Sequence, residues 1–426
     1  MPGLLYRSSV AVASVLAVFS LAVAPVEAEE YPGGQLPEKP AWLAEFSSRP
    51  AEMISAESAV VLDVTADTLL FEKSPDLLIP PASLTKLMTV HLALTAAEEG
   101  IFDLEKRVPV PEVAWASNQP RGSSLMFLGP GQEVSGEELL YGLGVSSGND
   151  AAVAVATLVS GDVAAFVRSM NDEARRLGYR SFRFSDPAGL SADNRSTARE
   201  LADFASYVIE RHPGILDYFN LPSFTYPNAA NFVNGHRERS ITQWNRNSLL
   251  RDYPGADGFK TGFIEASQYN LVATVNRNGR RLIAVLLGVP GTNHDEGAAR
   301  RAREAVTLLD HGYSGFELLQ LRSPTLEPLR VYAGVRERVT LDIAGLKSVV
   351  VPRGSAERVE GRLSLVDHLW APVDEGHRVG KVRYTFEGTE ILVADIRTAA
   401  NVERDDVLGR IYDALTFLTA PLLEPR

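Results

Sequence analysis

The chain has 426 residues, 45% of them hydrophobic, with 42 basic against 54 acidic side chains and a formal net charge of −12. That composition excludes a globally disordered chain, and the length leaves room for two or three domains. The acidic balance argues against a nucleic-acid partner, whose phosphates need a basic patch. The absence of cysteine excludes a disulfide framework, a thiolate nucleophile and a lipid-modified cysteine.

At the N-terminus, Arg7 precedes an apolar run over residues 10–24, and Val26-Glu27-Ala28 is a small-residue cleavage pattern. This predicts a secretory signal peptide over residues 1–28, and hence an exported protein. Residues 29–56, with Pro32, Pro37, Pro40 and Pro50, read as an extended leader. Residues 59–64 and 69–71 predict an opening hairpin around Asp67. Pro80-Pro81 cannot continue a strand, so a helix is expected from near Ala82. Residues 84–215 look mostly helical, with Ser196 as the expected N-cap of a helix that includes Ala198 and Leu201. Apolar runs over 269–275 and 281–289 flank Asn278-Gly279, a hairpin turn whose two positions both need positive φ. Residues 297–309 place Ala298, Ala302, Ala305 and Leu309 at helical spacing.

Strands at both ends of a helical middle predict an antiparallel sheet covered by helices over residues 57–320. Past Arg322-Ser323-Pro324 the texture changes to short β-like runs, predicting a small all-β domain over 321–398. Residues 399–426 carry Val407, Leu408, Ile411, Leu415 and Leu418 at helical spacing, an amphipathic terminal helix. The fold class is α+β.

Three strings carry chemistry. In Ser83-Leu84-Thr85-Lys86, a helix places Lys86 one turn from Ser83. A neutral lysine amine can take the serine proton, and burial together with a second cation, Lys260, would favour that neutral form. Ser147-Gly148-Asn149 sits in a loop between helices. There Ser147 can relay a proton and Asn149 can hydrogen-bond Lys86 and a peptide carbonyl. In Lys260-Thr261-Gly262-Phe263, an edge strand can present a cation and a hydroxyl to a carboxylate, while Gly262 allows close approach. The seven histidines show no ligand spacing, so neither a metal nor another cofactor is expected.

The trio is one known for penicillin-binding proteins and class A β-lactamases. With Pro81-Ala82-Ser83-Leu84-Thr85-Lys86-Leu87-Met88-Thr89, Gly122-Ser123-Ser124-Leu125-Met126-Phe127-Leu128, Ser147-Gly148-Asn149-Asp150-Ala151, Asp186-Pro187-Ala188-Gly189-Leu190 and Asn245-Arg246-Asn247, the chain resembles the low-molecular-mass penicillin-binding D-alanyl-D-alanine carboxypeptidases. The resemblance runs from about Ser58 to the C-terminus. It implies a transpeptidase-like, β-lactamase-like catalytic domain followed by the β-rich domain and a terminal helix on the membrane. It also implies that Ser83 is acylated, Lys86 is its base, and Ser147 with Asn149 forms the second wall. Lys260, Thr261 and Arg246 would hold the substrate carboxylate, and the N–H groups of Ser83 and Phe263 would form the oxyanion hole. The expected partners are peptidoglycan stem peptides, β-lactams and, through the terminal helix, the outer face of the cytoplasmic membrane in the periplasm.

Two departures stand out. Phe263 replaces the family's histidine, and Gly288-Val289-Pro290-Gly291 lacks the arginine the family often carries after the second hairpin strand, leaving Arg246 or Arg281 to serve. The alternatives are a D,D-endopeptidase on cross-links, a β-lactamase, for which residues 186–194 offer no glutamate, and a low-turnover penicillin-binding scaffold.

Overall fold

The computed structural model describes Leu43, residues 50–232 and residues 239–423; the predicted signal peptide and most of the leader lie outside them. The first hairpin consists of β1 (Ser58–Asp63) and β2 (Thr68–Lys73). Three long strands, β3 (Ala256–Ile264), β4 (Gln268–Arg277) and β5 (Arg280–Val289), complete an antiparallel sheet in the order β2-β1-β5-β4-β3. At the β4–β5 turn Asn278 and Gly279 take φ 53° and 82°, as their dipeptide requires. Residues 282–287 of β5 are all buried, because helices cover both faces of the sheet. That is why its sequence reads as a continuous apolar run rather than an alternation.

Helix α1 (Lys86–Glu98) follows a 3₁₀ turn, Ala82–Thr85, so the helical start expected near Ala82 is a 3₁₀ turn and the α-helix itself begins at Lys86. Helices α2 (Gly136–Tyr141), α3 (Asn149–Ser160), α4 (Val163–Arg176) and α5 (Ala198–Arg211) complete the central layer. Residues 99–135 are not helical apart from two short 3₁₀ turns. Pro109, Pro111, Pro120 and Pro130 remove donors there, and Gly122 and Gly131 take positive φ. The cap of α5 is Thr197, whose side chain accepts from Glu200 N, and not Ser196. Ser196 is drawn instead into a β-bridge with Ile79. The last helix of this domain, α6 (His294–Gly315), is longer than its apolar stripe suggests; Asn293 caps it by accepting from Glu296 N.

Two histidines are buried. His91 Nδ1 lies 2.9 Å from His212 Nε2, with Glu173 on the far nitrogen of His91 (2.8 Å) and Glu98 on that of His212 (3.0 Å). This chain of contacts ties α1 to α4 and to the C-terminal end of α5, where His212 is the C-cap residue.

The C-terminal part is all β, as its sequence pattern predicts. The strand Phe316–Leu319 leaves α6 and pairs with Val349–Pro352, and a three-stranded and a four-stranded sheet follow. Helix α7 (Val407–Leu423) packs on the strand Leu329–Tyr332. Its Asp413 is buried, accepting from Ala333 N (2.7 Å) and Arg330 Nη2 (3.3 Å). Phe417 seats its ring against Tyr332, His368 and Trp370. Asp413 therefore does not share the outward face with Val407, Leu408, Ile411 and Leu415, which are exposed. Among the described residues no single helix is long and apolar enough to cross a membrane.

Candidate active site

Ser83 stands in the 3₁₀ turn between Pro80-Pro81 and α1, after Ala82 at φ 50°, a left-handed conformation that a non-glycine residue holds only under surrounding constraint. Two glycines supply that constraint. A Cβ on Gly262 would lie 2.9 Å from Pro81 O and 3.1 Å from Ser83 N, and one on Gly189 would run into the Ala82 carbonyl. Strand β3 and the 186–191 loop thus close on the nucleophile turn from two sides.

Lys86 is fully buried. Its Nζ lies 2.7 Å from Asn149 Oδ1, 2.7 Å from Ala188 O and 3.2 Å from Ser83 Oγ. The first two partners can only accept. A neutral amine has two N–H groups and one lone pair, so with both hydrogens committed its lone pair faces the Ser83 hydroxyl. Burial lowers the Lys86 pKa to about 7, against the opposing pull of Asp186 and Asp150 and with help from Arg246. The cation assisting burial is therefore Arg246 rather than Lys260. Repulsion between the two lysines acts on Lys260, which burial, then Lys86, Arg246 and Arg301, hold well below the ordinary lysine range.

The second wall follows α2. A π turn, Gly142–Ser146, leads to Ser147 at φ 57°, which lines the cleft with Asn149 at the start of α3. Asp150 fastens the neighbouring segment by accepting from the N–H groups of Met126, Phe127 and Leu128 (2.8, 2.8 and 3.0 Å). Asn149 N donates to Ser124 O (2.8 Å). The string 122–128 is thereby built into the cleft, where Gly122, Ser123 and Ser124 form part of the lining.

The third wall is β3, an edge strand. Thr261, Gly262 and Phe263 line the cleft, while Lys260 is buried behind them with Nζ 3.0 Å from Thr261 O. The Phe263 ring packs against Tyr269 and His294, with centroids 4.6 and 5.8 Å away. Arg246 reaches the cleft from between two anchored asparagines: Asn245 donates to Phe219 O (2.8 Å) and Asn247 to Gly258 O (3.1 Å). Arg281 is elsewhere, paired with Asp257 (2.8 Å).

A further arginine in the cleft, not singled out from the sequence, is Arg301. It projects from α6 into the cleft, buried, with Nη1 donating to Asn270 O at 3.3 Å and no carboxylate in ion-pair contact among the described residues. Burial lowers its pKa to about 10. Gly297, one turn earlier, lets α6 lie directly on the Tyr269 ring, which any side chain at that position would meet. The cleft encloses about 710 Å³. Its carboxylate-binding candidates are therefore Thr261, Arg246 and Arg301, with Lys260 behind them.

A serine held by a buried low-pKa lysine, opposite Ser147 and Asn149 and beside a Lys-Thr-Gly edge strand, agrees with the family match found over residues 44–291, D-alanyl-D-alanine carboxypeptidase. The chain belongs to the D-alanyl-D-alanine carboxypeptidase family. Residues 319–404 match the C-terminal domain of penicillin-binding protein 5. The chain is 33% identical over 368 residues to the D-alanyl-D-alanine carboxypeptidase DacA of Haemophilus influenzae, covering 85% of this chain and 89% of that one. Penicillin-binding protein 5 of Haemophilus influenzae superposes with a TM-score of 0.71 at 32% identity, over 82% of this chain and 98% of its own. Penicillin-binding protein D2 of Listeria monocytogenes in its ampicillin-bound form matches at TM-score 0.51 and 26% identity, over 61% of this chain and 98% of its own.

Proposed function

We propose that this member of the family is a serine-type carboxypeptidase that removes the terminal D-alanine of the peptidoglycan pentapeptide through an acyl-enzyme on Ser83. The observation that carries this reading is the Lys86 amine, with two acceptor-only partners and the Ser83 hydroxyl as its third. Ser83 Oγ–H gives its proton to the neutral Lys86 amine as Oγ attacks the penultimate carbonyl carbon. The carbonyl oxygen becomes an oxyanion held by the N–H groups of Ser83 and Phe263. Collapse breaks the peptide bond. The proton passes from Lys86 by way of Ser147 to the departing D-alanine nitrogen, and water then hydrolyses the ester with Lys86 again as base.

The terminal carboxylate of the substrate sits against Thr261, Arg246 and Arg301. These are charge-assisted contacts, and neither Arg246 nor Arg301 has a carboxylate in ion-pair contact among the described residues. A β-lactam presents a carboxylate and an acylating carbonyl at the same spacing, and so acylates Ser83.

The signal-peptide pattern supports export. The exposed Val407, Leu408, Ile411 and Leu415, with Asp413 turned inward, support peripheral attachment of α7 to the outer face of the cytoplasmic membrane.

The test is D-alanine release from a purified pentapeptide muropeptide, beside a cross-linked dimer and a Ser83→Ala control. Release from the pentapeptide that is lost in the control is the expected result. Cleavage of the dimer in preference would assign an endopeptidase, and penicillin binding without release from either would assign a scaffold.

A further inference from the structure

Asp186 touches no catalytic side chain, yet everything around it converges on Lys86. Its Oδ1 accepts from the main-chain N–H groups of Ala188 (2.8 Å), Gly189 (2.6 Å) and Leu190 (3.1 Å). Its Oδ2 accepts from Ser191 N (2.8 Å) and Asn194 Nδ2 (3.2 Å). Five donors on one carboxylate saturate it, so it has no capacity left to orient a hydrolytic water.

The turn wound on this carboxylate is stitched to the nucleophile helix at three points. Pro187 O accepts from Thr89 Oγ1 (2.7 Å), Ala188 O from Lys86 (2.7 Å), and Thr85 Oγ1 from Asn194 Nδ2 (3.2 Å). The next residue, Gly189, packs on the Ala82 carbonyl and Ser83 N.

We infer that Asp186 is a positioning residue for acyl transfer: its carboxylate folds the turn that aims the Ala188 carbonyl at Lys86, so that the lysine lone pair is left facing Ser83. The inference rests on Lys86 being the base. Without a fixed acceptor at Ala188, one amine hydrogen has no designated partner, and the lone pair loses its direction. The charge of Asp186 acts as well. Lys86 faces Asp186 from the loop, Asp150 from α3, Lys260 from β3 and Arg246 from the segment before β3, and the two acids raise its proton affinity against burial and Arg246.

The two contributions separate experimentally. Asp186→Asn keeps one acceptor oxygen for three of the N–H groups but removes the charge. Asp186→Glu keeps the charge but displaces the turn. The readout is the second-order rate constant for acylation of Ser83 by a fluorescent penicillin, measured across pH, with Lys86→Arg alongside. In D186N the acid-limb midpoint should move down by about 1 pH unit. In D186E it should stay, while the rate falls about 10- to 100-fold at every pH.

A midpoint unmoved in D186N, or a wild-type rate in D186E, overturns the inference. Normal acylation by K86R would instead remove the base itself, so the two failures are distinguishable. If neither Asp186 variant folds by circular dichroism, hydrogen exchange in the wild-type protein decides. The amides of Ala188 to Ser191 must stay protected while Ser83 is acylation-competent, and fast exchange there in active enzyme overturns the assignment.

Discussion

Arg301 yields the sharpest prediction, because its position makes function and stability oppose each other. The guanidinium is buried with a single main-chain acceptor, and burial lowers its pKa to about 10, well below the ordinary arginine value. That difference corresponds to roughly 3 kcal/mol of unfavourable burial of the cation. The sign follows from proton linkage. Above about pH 10 the unfolded chain still holds the proton that the folded one releases, so the penalty is present in full below pH 10 and fades as pH rises from there toward the ordinary arginine pKa. A substrate carboxylate supplies the missing anion and recovers much of this energy in the complex. Arg301→Gln should therefore lower kcat/KM for a peptide ending in D-Ala-D-Ala by about 30- to 100-fold. The loss should be small for the same peptide with its terminal carboxyl amidated. Thermal denaturation at neutral pH should show an unchanged or higher melting temperature, as expected where a site holds charge for a ligand at the expense of the fold. Equal losses on acid and amide substrates, or a clear drop in melting temperature, would refute the reasoning.

Further tests address the base, the loop and the anchor. With burial lowering the pKa of the proposed base Lys86 to about 7, Ser83 acylation should fall about tenfold for each unit below pH 7, and an acid limb well above or below that value counts against Lys86. Lys86→Arg, which cannot present a neutral amine, should abolish acylation while leaving the melting temperature close to wild type. Gly189→Ala combines φ 81° with a Cβ driven into the Ala82 carbonyl; penicillin acylation should drop about 100-fold, and wild-type rates would show that the loop yields freely. Deleting residues 402–426 should release the protein from washed membranes into the supernatant, whereas unchanged sedimentation would end the attachment proposal.

The candidate side chains that the fold brings into one cleft were legible in sequence because each occurs in a short string whose local geometry is self-contained. Lys86 follows Ser83 on one turn, and Asn278-Gly279 admits one kind of hairpin. Arg301 was not found because it was sought next to the strand rather than on the following helix. On α6 Gly297, Arg301, Glu304, Ala305 and Leu308 are buried; Glu304 accepts from the N–H groups of Ser55 and Ala56, and a buried arginine on such a face marks either an ion pair or a ligand. The roles of Ala188 and Asp186 had no comparable signal. A main-chain carbonyl carries no side-chain identity, and an aspartate wound into its own loop looks like any turn residue. The burial of His91 and His212 depends on three helices meeting, which local pattern does not encode. Ser196 was passed over as a cap because its neighbour Thr197 took the N–H of Glu200 while Ser196 joined Ile79.

The catalytic sheet stops at β3 with one margin unpaired, and such margins invite other strands to add to them. Here the margin lies in the cleft, whose lining also includes residues 120–124, Leu190 and the first turns of α6. The open margin and Ser83 thus share one cleft, so an extended ligand that pairs with β3 lies alongside the serine.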